Sequence, residues 1–182
     1  EESSIWIYLE DYIHQFFTKF GYKKIILPSF ENTDLFLRSI GKETDIVSKE
    51  MYSWTDQGNN NLTLRPELTA SVVRAYIQNQ LGKQQKSHKL YYIGSSYRRE
   101  RPQKGRFRQF KQFGIEAFGS EFPEQDAEII SIAYLLYDSL GIKNLNLRIN
   151  SIGSRKSRQK YIKELKEFFS KYKDKLTSIS KQ

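Results

Sequence analysis

Apolar residues at positions 5, 9, 12, 13, 16, 17 and 20 recur at helical spacing and the stripe stops before Gly21, so residues 4–20 are predicted to form an amphipathic helix. Ile25–Phe30 reads as a strand in which Pro28 marks an edge, an irregular position or an interface. Asp34 is predicted to cap a short helix that runs to Ile40 and stops at Gly41. Met51–Trp54 and Leu62–Arg65 are expected to pair across the turn-rich segment between Asp56 and Asn61. A helix should follow from Glu67 to about Leu81, then a hairpin of Leu90–Arg101 and Phe107–Phe118. Pro123 opens a helix with Ala127, Ile130, Ala133, Leu136 and Leu140 facing inward, and Gly141 ends it. Leu145–Ile149 reads as a strand. Arg155 to about Leu176 reads as a helix with Tyr161, Leu165, Phe168, Tyr172 and Leu176 on one narrow stripe. This irregular order implies an α+β fold: a mixed, mainly antiparallel sheet flanked by helices.

The hairpin carries the chemistry. Residues 98–111 hold seven Lys/Arg and one Glu around the turn-forming tetrad Pro102-Gln103-Lys104-Gly105. Side chains alternate between faces along a strand, so Arg106, Arg108, Phe110, Gln112, Gly114 and Glu116 share one face of the returning strand. Phe107, Gln109, Lys111, Phe113, Ile115 and Ala117 share the other. On the outgoing strand Arg98 and Glu100 lie together, opposite Tyr91, Ile93 and Tyr97. One face is thus expected to pack and the other to bind. Planar guanidinium forks suit phosphate because they form paired, charge-assisted hydrogen bonds. A bound nucleotide fits better than simple contact with a nucleic acid backbone, which would need neither Glu100 nor Glu116.

Charge placement sharpens this picture. Of the net charge of +9, residues 98–111 carry +6 and residues 154–182 carry +7, so the rest of the chain is mildly acidic. Polyanion contact is expected at defined places, while the tail also reads as a solvated lysine-rich helix face. With 182 residues, 38% hydrophobic and 28% charged, the chain suits one globular domain with a real core. Zero cysteines removes disulfides and thiolate chemistry, and only His14 and His88 offer imidazoles, so no metal site is expected. No apolar run approaches the ~18–20 residues of a membrane span, and the opening Glu1-Glu2-Ser3-Ser4 is unlike a signal peptide. No membrane association and a cytoplasmic setting are expected. The sequence has no Gly-rich phosphate loop, so a nucleotide would have to be held by side chains on strands.

The segment from Arg98 to Phe110 closely resembles motif 2 of class II aminoacyl-tRNA synthetases, in its histidyl version. Gly21-Tyr22 through Leu27-Pro28 and Thr33-Asp34-Leu35-Phe36 are similar to motif 1. Thr63-Leu64-Arg65-Pro66-Glu67-Leu68-Thr69 resembles the amino-acid-binding segment, and Gln112–Glu116 and Leu147–Gly153 follow the histidyl pattern. The resemblance spans nearly all of the chain. It places motif 1 at about 21–40, the amino-acid segment at 63–69 and motif 2 at about 90–119, within a partial class II catalytic core over residues 1–182.

The resemblance implies activation of L-histidine by ATP, with Mg2+ expected alongside the ATP, and transfer of the acyl group to tRNA(His). Arg98 would be the catalytic contact to the α-phosphate and attacking carboxylate. Glu100 would meet the adenine amino group, Arg106 and Arg108 the loop side of ATP, and Phe110 would stack under adenine. Glu67 and Thr69 would hold the α-ammonium, Gln112 would orient the substrate, and Glu116 would accept from an imidazole N–H. Motif 1 implies a homodimer. The alternatives are plain: a surface charge for each Arg, a helix N-terminal carboxylate for Glu67, a strand-end residue for Glu116. Arg65 and Arg74 stay open between structural and site-lining roles.

Leu68 stands where the bacterial family often has Gly, and either narrows the pocket or is a tolerated variant. Lys111 and Arg99 replace frequent histidines. The family's motif 3, its later histidine-specific segment and its anticodon-binding domain have no counterpart, so the chain is expected to be a fragment with little activity alone. Two other readings remain: a non-catalytic, synthetase-like regulatory module, and a class II synthetase for another amino acid.

Overall fold

The computed structural model describes residues 2–40, 50–101, 103–151 and 153–177, which divide into two compact units, Glu1–Lys143 and Asn144–Gln182. In the first, α1 (Glu2–Lys19) leads through β1 (Lys23–Lys24) to β2 (Phe30–Asn32) and α2 (Thr33–Ile40). The hairpin β3 (Tyr52–Thr55) and β4 (Asn61–Leu64) precedes α3 (Thr69–Gln78) and the single turn α4 (Leu81–Gln84). The long ribbon of β5 (His88–Tyr97) and β6 (Gln109–Phe118) follows, then α5 (Pro123–Ser139).

Two three-stranded sheets result, ordered β1-β5-β6 and β2-β4-β3. Among the described residues only β1 pairs in parallel, with Lys23 opposite Leu90; every other pairing there is antiparallel. The mainly antiparallel α+β architecture expected from the sequence is present. The ribbon runs in unbroken register from His88↔Phe118 to Tyr97↔Gln109. Its odd-numbered face meets α1 and α5, where Ile13, Phe17, Tyr22, Tyr91, Ile132 and Leu136 form one buried cluster, with Ile93, Phe113 and Ile115 against it. Its even-numbered face meets α3, where Leu68, Val72 and Ala75 pack on Leu90 and Tyr92. Both faces are therefore covered at one end of the ribbon, and the even face emerges toward the hairpin tip.

Several expectations are corrected. Ile25–Phe30 is not one strand: Ile25 N–H still donates to the Tyr91 carbonyl at 2.9 Å, but the chain then leaves the sheet. Pro28 has no N–H to offer a ladder, and Arg65 claims the Leu27 and Pro28 carbonyls. The cap of α2 is Asn32, whose Oδ1 accepts from Asp34 N–H at 2.9 Å; Asp34 sits in the first turn, where its charge suits the helix dipole. The proposed stop at Gly41 lies outside the described residues. Helix α3 starts at Thr69 rather than Glu67, and left-handed Gln80 (φ 50°) separates it from α4. Along α5 the buried residues are Ile132 and Leu136, while Ala127 and Ala133 are exposed, because the larger side chains one position away reach the ribbon. Leu145–Ile149 is not a strand: no ladder partner exists for it among the described residues, and Leu147 and Ile149 stand in solvent. In the second unit α6 (Arg155–Lys171), capped by Ser154 Oγ accepting from Ser157 N–H, buries none of its residues.

Arg65 is resolved as structural. It is 6% exposed, and its Nε donates to the Ser95 carbonyl at 2.7 Å while Nη1 donates to Leu27 (2.7 Å) and Pro28 (2.8 Å). One side chain therefore ties the end of β4 to β5 and to the segment before β2. Removing it would leave three carbonyls without their donor, each worth about 1–3 kcal/mol when buried. Arg65→Met is expected to destabilise the full-length protein by about 3–5 kcal/mol in urea unfolding.

Candidate active site

The register brings the even-numbered residues of both strands together: Leu90 opposite Glu116, Tyr92 opposite Gly114, Gly94 opposite Gln112 and Ser96 opposite Phe110. Arg98 N–H donates to the Arg108 carbonyl at 2.9 Å, which carries the pairing one step past the strands. Seven of the nine candidate residues, from Arg98 to Glu116, thus belong to one ribbon face or the loop that prolongs it. Glu67 and Thr69 come from the turn entering α3, the helix packed on the covered end of that face.

At the inner end, Glu67 Oε1 accepts from Ala70 N–H at 2.9 Å. One carboxylate oxygen therefore does serve the helix N-terminus, as its plain reading held. The Thr69 hydroxyl lies 3.4 Å from the Tyr92 hydroxyl. Burial pushes the Glu116 carboxyl above its ordinary value; a hydrogen bond from Thr69 opposes the shift and the neighbouring Glu67 charge adds to it. Burial likewise raises the Tyr92 phenol, with Thr69 opposing and Glu116 and Glu67 adding. These four side chains form one electrostatically coupled cluster with an acidic character.

In the middle of the face, buried Ser96 donates to Gln112 Oε1 at 2.9 Å, fixing the amide so that its NH2 is the free end. A Cβ on Gly94 would lie 2.8 Å from Arg65 Nη2 and 3.1 Å from Leu68 Cδ2, so glycine is what lets both side chains pass beneath the site. Leu68 is 1% exposed and packs with Val72, Ala75 and Tyr92. It fills the core against Gly94 instead of narrowing an open pocket.

Arg98 spans the next position. Its Nε donates to the Pro66 carbonyl at 3.0 Å and its guanidinium carbon stands 5.2 Å from the Phe110 ring centroid. No hydrogen-bond partner for its two Nη groups occurs among the described residues. Toward the tip, Glu100 Oε2 lies 3.5 Å from Arg106 Nε, within ion-pair range but outside hydrogen-bond geometry. That oxygen is buried with no hydrogen-bond partner in the described structure, an acceptor left over. Arg106 and Arg108 are exposed, and the loop closes through Arg106 N–H donating to Gln103 C=O at 2.9 Å.

Arg74 is committed elsewhere: its guanidinium pairs with Glu31 at 2.8 Å and Gln78 at 2.6 Å. A groove of about 730 Å³ between α2 and α3 shares Glu67 and Thr69 with the site but is lined by none of the hairpin residues. Tyr92 and Ser96 are the two contributors that the sequence reading missed. The signal was available: both are in phase with Arg98 and Glu100 on the outgoing strand. Among the described residues no group of three or more His, Asp or Glu converges as a metal site.

A long antiparallel ribbon in a mixed sheet, with helices against both of its faces, is the catalytic-core architecture of class II aminoacyl-tRNA synthetases. The solved apo histidyl-tRNA synthetase of Staphylococcus aureus matches it with a TM-score of 0.75 at 38% identity, covering 98% of this chain and 42% of that one. The family profile for histidyl-tRNA synthetase matches residues 7–156, and the chain belongs to that family. A histidine–tRNA ligase of Caldicellulosiruptor saccharolyticus is 49% identical over 182 residues, 100% of this chain and 43% of its own length. One from Macrococcus caseolyticus is 50% identical over 169 residues, 92% of this chain and 40% of its own length. The chain therefore spans less than half the length of these relatives.

Proposed function

We propose that the full-length protein carrying this chain activates L-histidine with ATP and passes the histidyl group to tRNA(His). The observation that carries the reading is the order of groups on one ribbon face: a coupled carboxylate–hydroxyl pocket, an oriented amide, a guanidinium on a ring, and a basic loop. The substrate carboxylate attacks the α-phosphate, pyrophosphate leaves, and the protein's part is to place the reactants and neutralise charge. Arg98 bridges carboxylate and α-phosphate with its two Nη groups while Pro66 holds Nε. Glu100 accepts from the adenine amino group with its leftover oxygen, and Phe110 stacks on the base. Arg106 and Arg108 meet the outer phosphates, and Mg2+ enters with ATP as part of that substrate.

Glu67 and Thr69 hold the α-ammonium, Gln112 orients the substrate through its free NH2, and Glu116 accepts from the imidazole. Support for the acidic roles comes from the surplus of negative charge around Thr69, which a cation entering the pocket would neutralise. A homodimer through residues 21–40 is part of the same reading. Exposed Ile26 (86%) and the edge-to-face pair Phe30 and Trp54, with centroids 5.9 Å apart, support it as apolar surface in want of cover. No helix among the described residues is long and apolar enough to cross a membrane, and a cytoplasmic setting completes the reading.

Pyrophosphate exchange by the full-length protein with each amino acid in turn is the test. Exchange is expected with histidine alone. Exchange with proline or threonine would replace the histidine assignment, and exchange with none would favour a regulatory module. Sedimentation at micromolar concentration should show a dimer; a monomer alone would remove the interface.

A further inference from the structure

Tyr92 has no role in the assignments above, yet it stands among them. It is 4% exposed, it lies directly opposite Gly114 in the ladder, and its hydroxyl reaches Thr69 at 3.4 Å. A Cβ built on Gly114 would collide with the hydroxyl, Cζ and Cε2 of the Tyr92 ring. The ring therefore lies flat across the strand at Gly114 and fills the ribbon face between Gln112 and Glu116. Those are the two β6 residues assigned to the amino acid.

We infer that Tyr92 is a positioning and specificity-determining residue of the amino-acid pocket: its ring floors the gap left by Gly114, and its hydroxyl holds the Thr69 side chain between itself and Glu116. The inference rests on the histidine reading and adds a residue that reading does not use. Thr69 is left to choose between staggered χ1 rotamers unless something fixes one of them. A hydroxyl held by the phenol keeps its orientation as an ammonium enters, so less freedom is lost on binding. Burial and the two carboxylates both keep the phenol protonated, as a partner that can donate or accept at any neutral pH. The ring itself sets the floor on which an imidazole would lie, and its bulk is why position 114 carries no side chain.

The role makes a kinetic prediction different from that of a core tyrosine. In the full-length protein Tyr92→Phe keeps the ring and removes one hydroxyl. It should raise the histidine KM about three- to fivefold, the lower range for one hydrogen bond because 3.4 Å is long for two hydroxyls, with kcat, the ATP KM and the Tm nearly unchanged. Inhibition by histidinol should weaken by the same factor, because that probe keeps the ammonium and imidazole but lacks the carboxylate. Gly114→Ala should push the ring away from β6 and raise the histidine KM at least as far, again without moving the ATP KM.

A Tyr92→Phe enzyme whose histidine KM and histidinol inhibition stay within twofold of wild type overturns the inference. So does one in which both KM values rise together with a lowered Tm, the mark of a general packing role. Wild-type protein that shows no histidine-dependent exchange overturns the parent reading and this inference with it, an outcome distinct from a normal wild type with an indifferent variant.

Discussion

Arg98→Ala in the full-length protein is expected to lower histidine-dependent pyrophosphate exchange by about three orders of magnitude, the upper range for losing one preorganised charge donor. The fall should appear in kcat far more than in KM, because charge on the α-phosphate oxygens peaks in the transition state. Folding should survive. Arg98 is only half-buried, and the protein loses one hydrogen bond to the Pro66 carbonyl and one contact with the Phe110 ring. Arg98→Lys is expected to recover little, leaving about a hundredfold deficit, because an ammonium cannot hold Pro66 with one nitrogen and fork two oxygens with the others. Activity of the alanine variant within tenfold of wild type would remove Arg98 from the chemistry.

Glu116→Gln should separate function from stability. Burial and the nearby Glu67 hold the Glu116 pKa above its ordinary 4.5, with Thr69 opposing. A raised carboxyl pKa means that the folded state binds the proton more tightly than the unfolded chain. Its favourable contribution is complete below pH 4.5 and disappears as pH rises through the folded value. Toward higher pH the buried carboxyl is thus a burden on the fold. The neutral amide should raise Tm at pH 7, and the gain should vanish when melting is repeated below pH 4.5. Over the same substitution histidine-dependent kcat/KM should fall at least about a hundredfold, since an amide offers a weaker acceptor and no charge to an imidazole N–H. A variant that loses stability at pH 7, or that keeps its activity, would contradict this account.

The ribbon was legible in the sequence because its signal is local. Alternation of Arg108, Phe110, Gln112 and Glu116 against Phe107, Phe113 and Ile115 has a period of two, and burial of the odd face leaves one register for the pair. What depended on distant partners was not legible. Arg65 could not be placed, because the carbonyls that define it belong to Leu27, Pro28 and Ser95, two of them 37 and 38 residues away. Tyr92 was half legible: its phase with Arg98 and Glu100 stood in the sequence, but its weight comes from Gly114 across the ladder, which only the pairing reveals. Leu145–Ile149 has the composition of a strand, but composition cannot supply a neighbour to bond with.

The ribbon's division of labour also limits how this protein can change over evolutionary time. One point substitution on either strand alters a single contact. Deleting or inserting one residue in β5 or β6 would invert every side chain beyond it, sending Phe113 and Ile115 to the even face and Gln112 and Glu116 against α1 and α5. Length variation should therefore be purged from the two strands and tolerated only at the tip around Gln103–Arg106, where the chain turns without a packed neighbour.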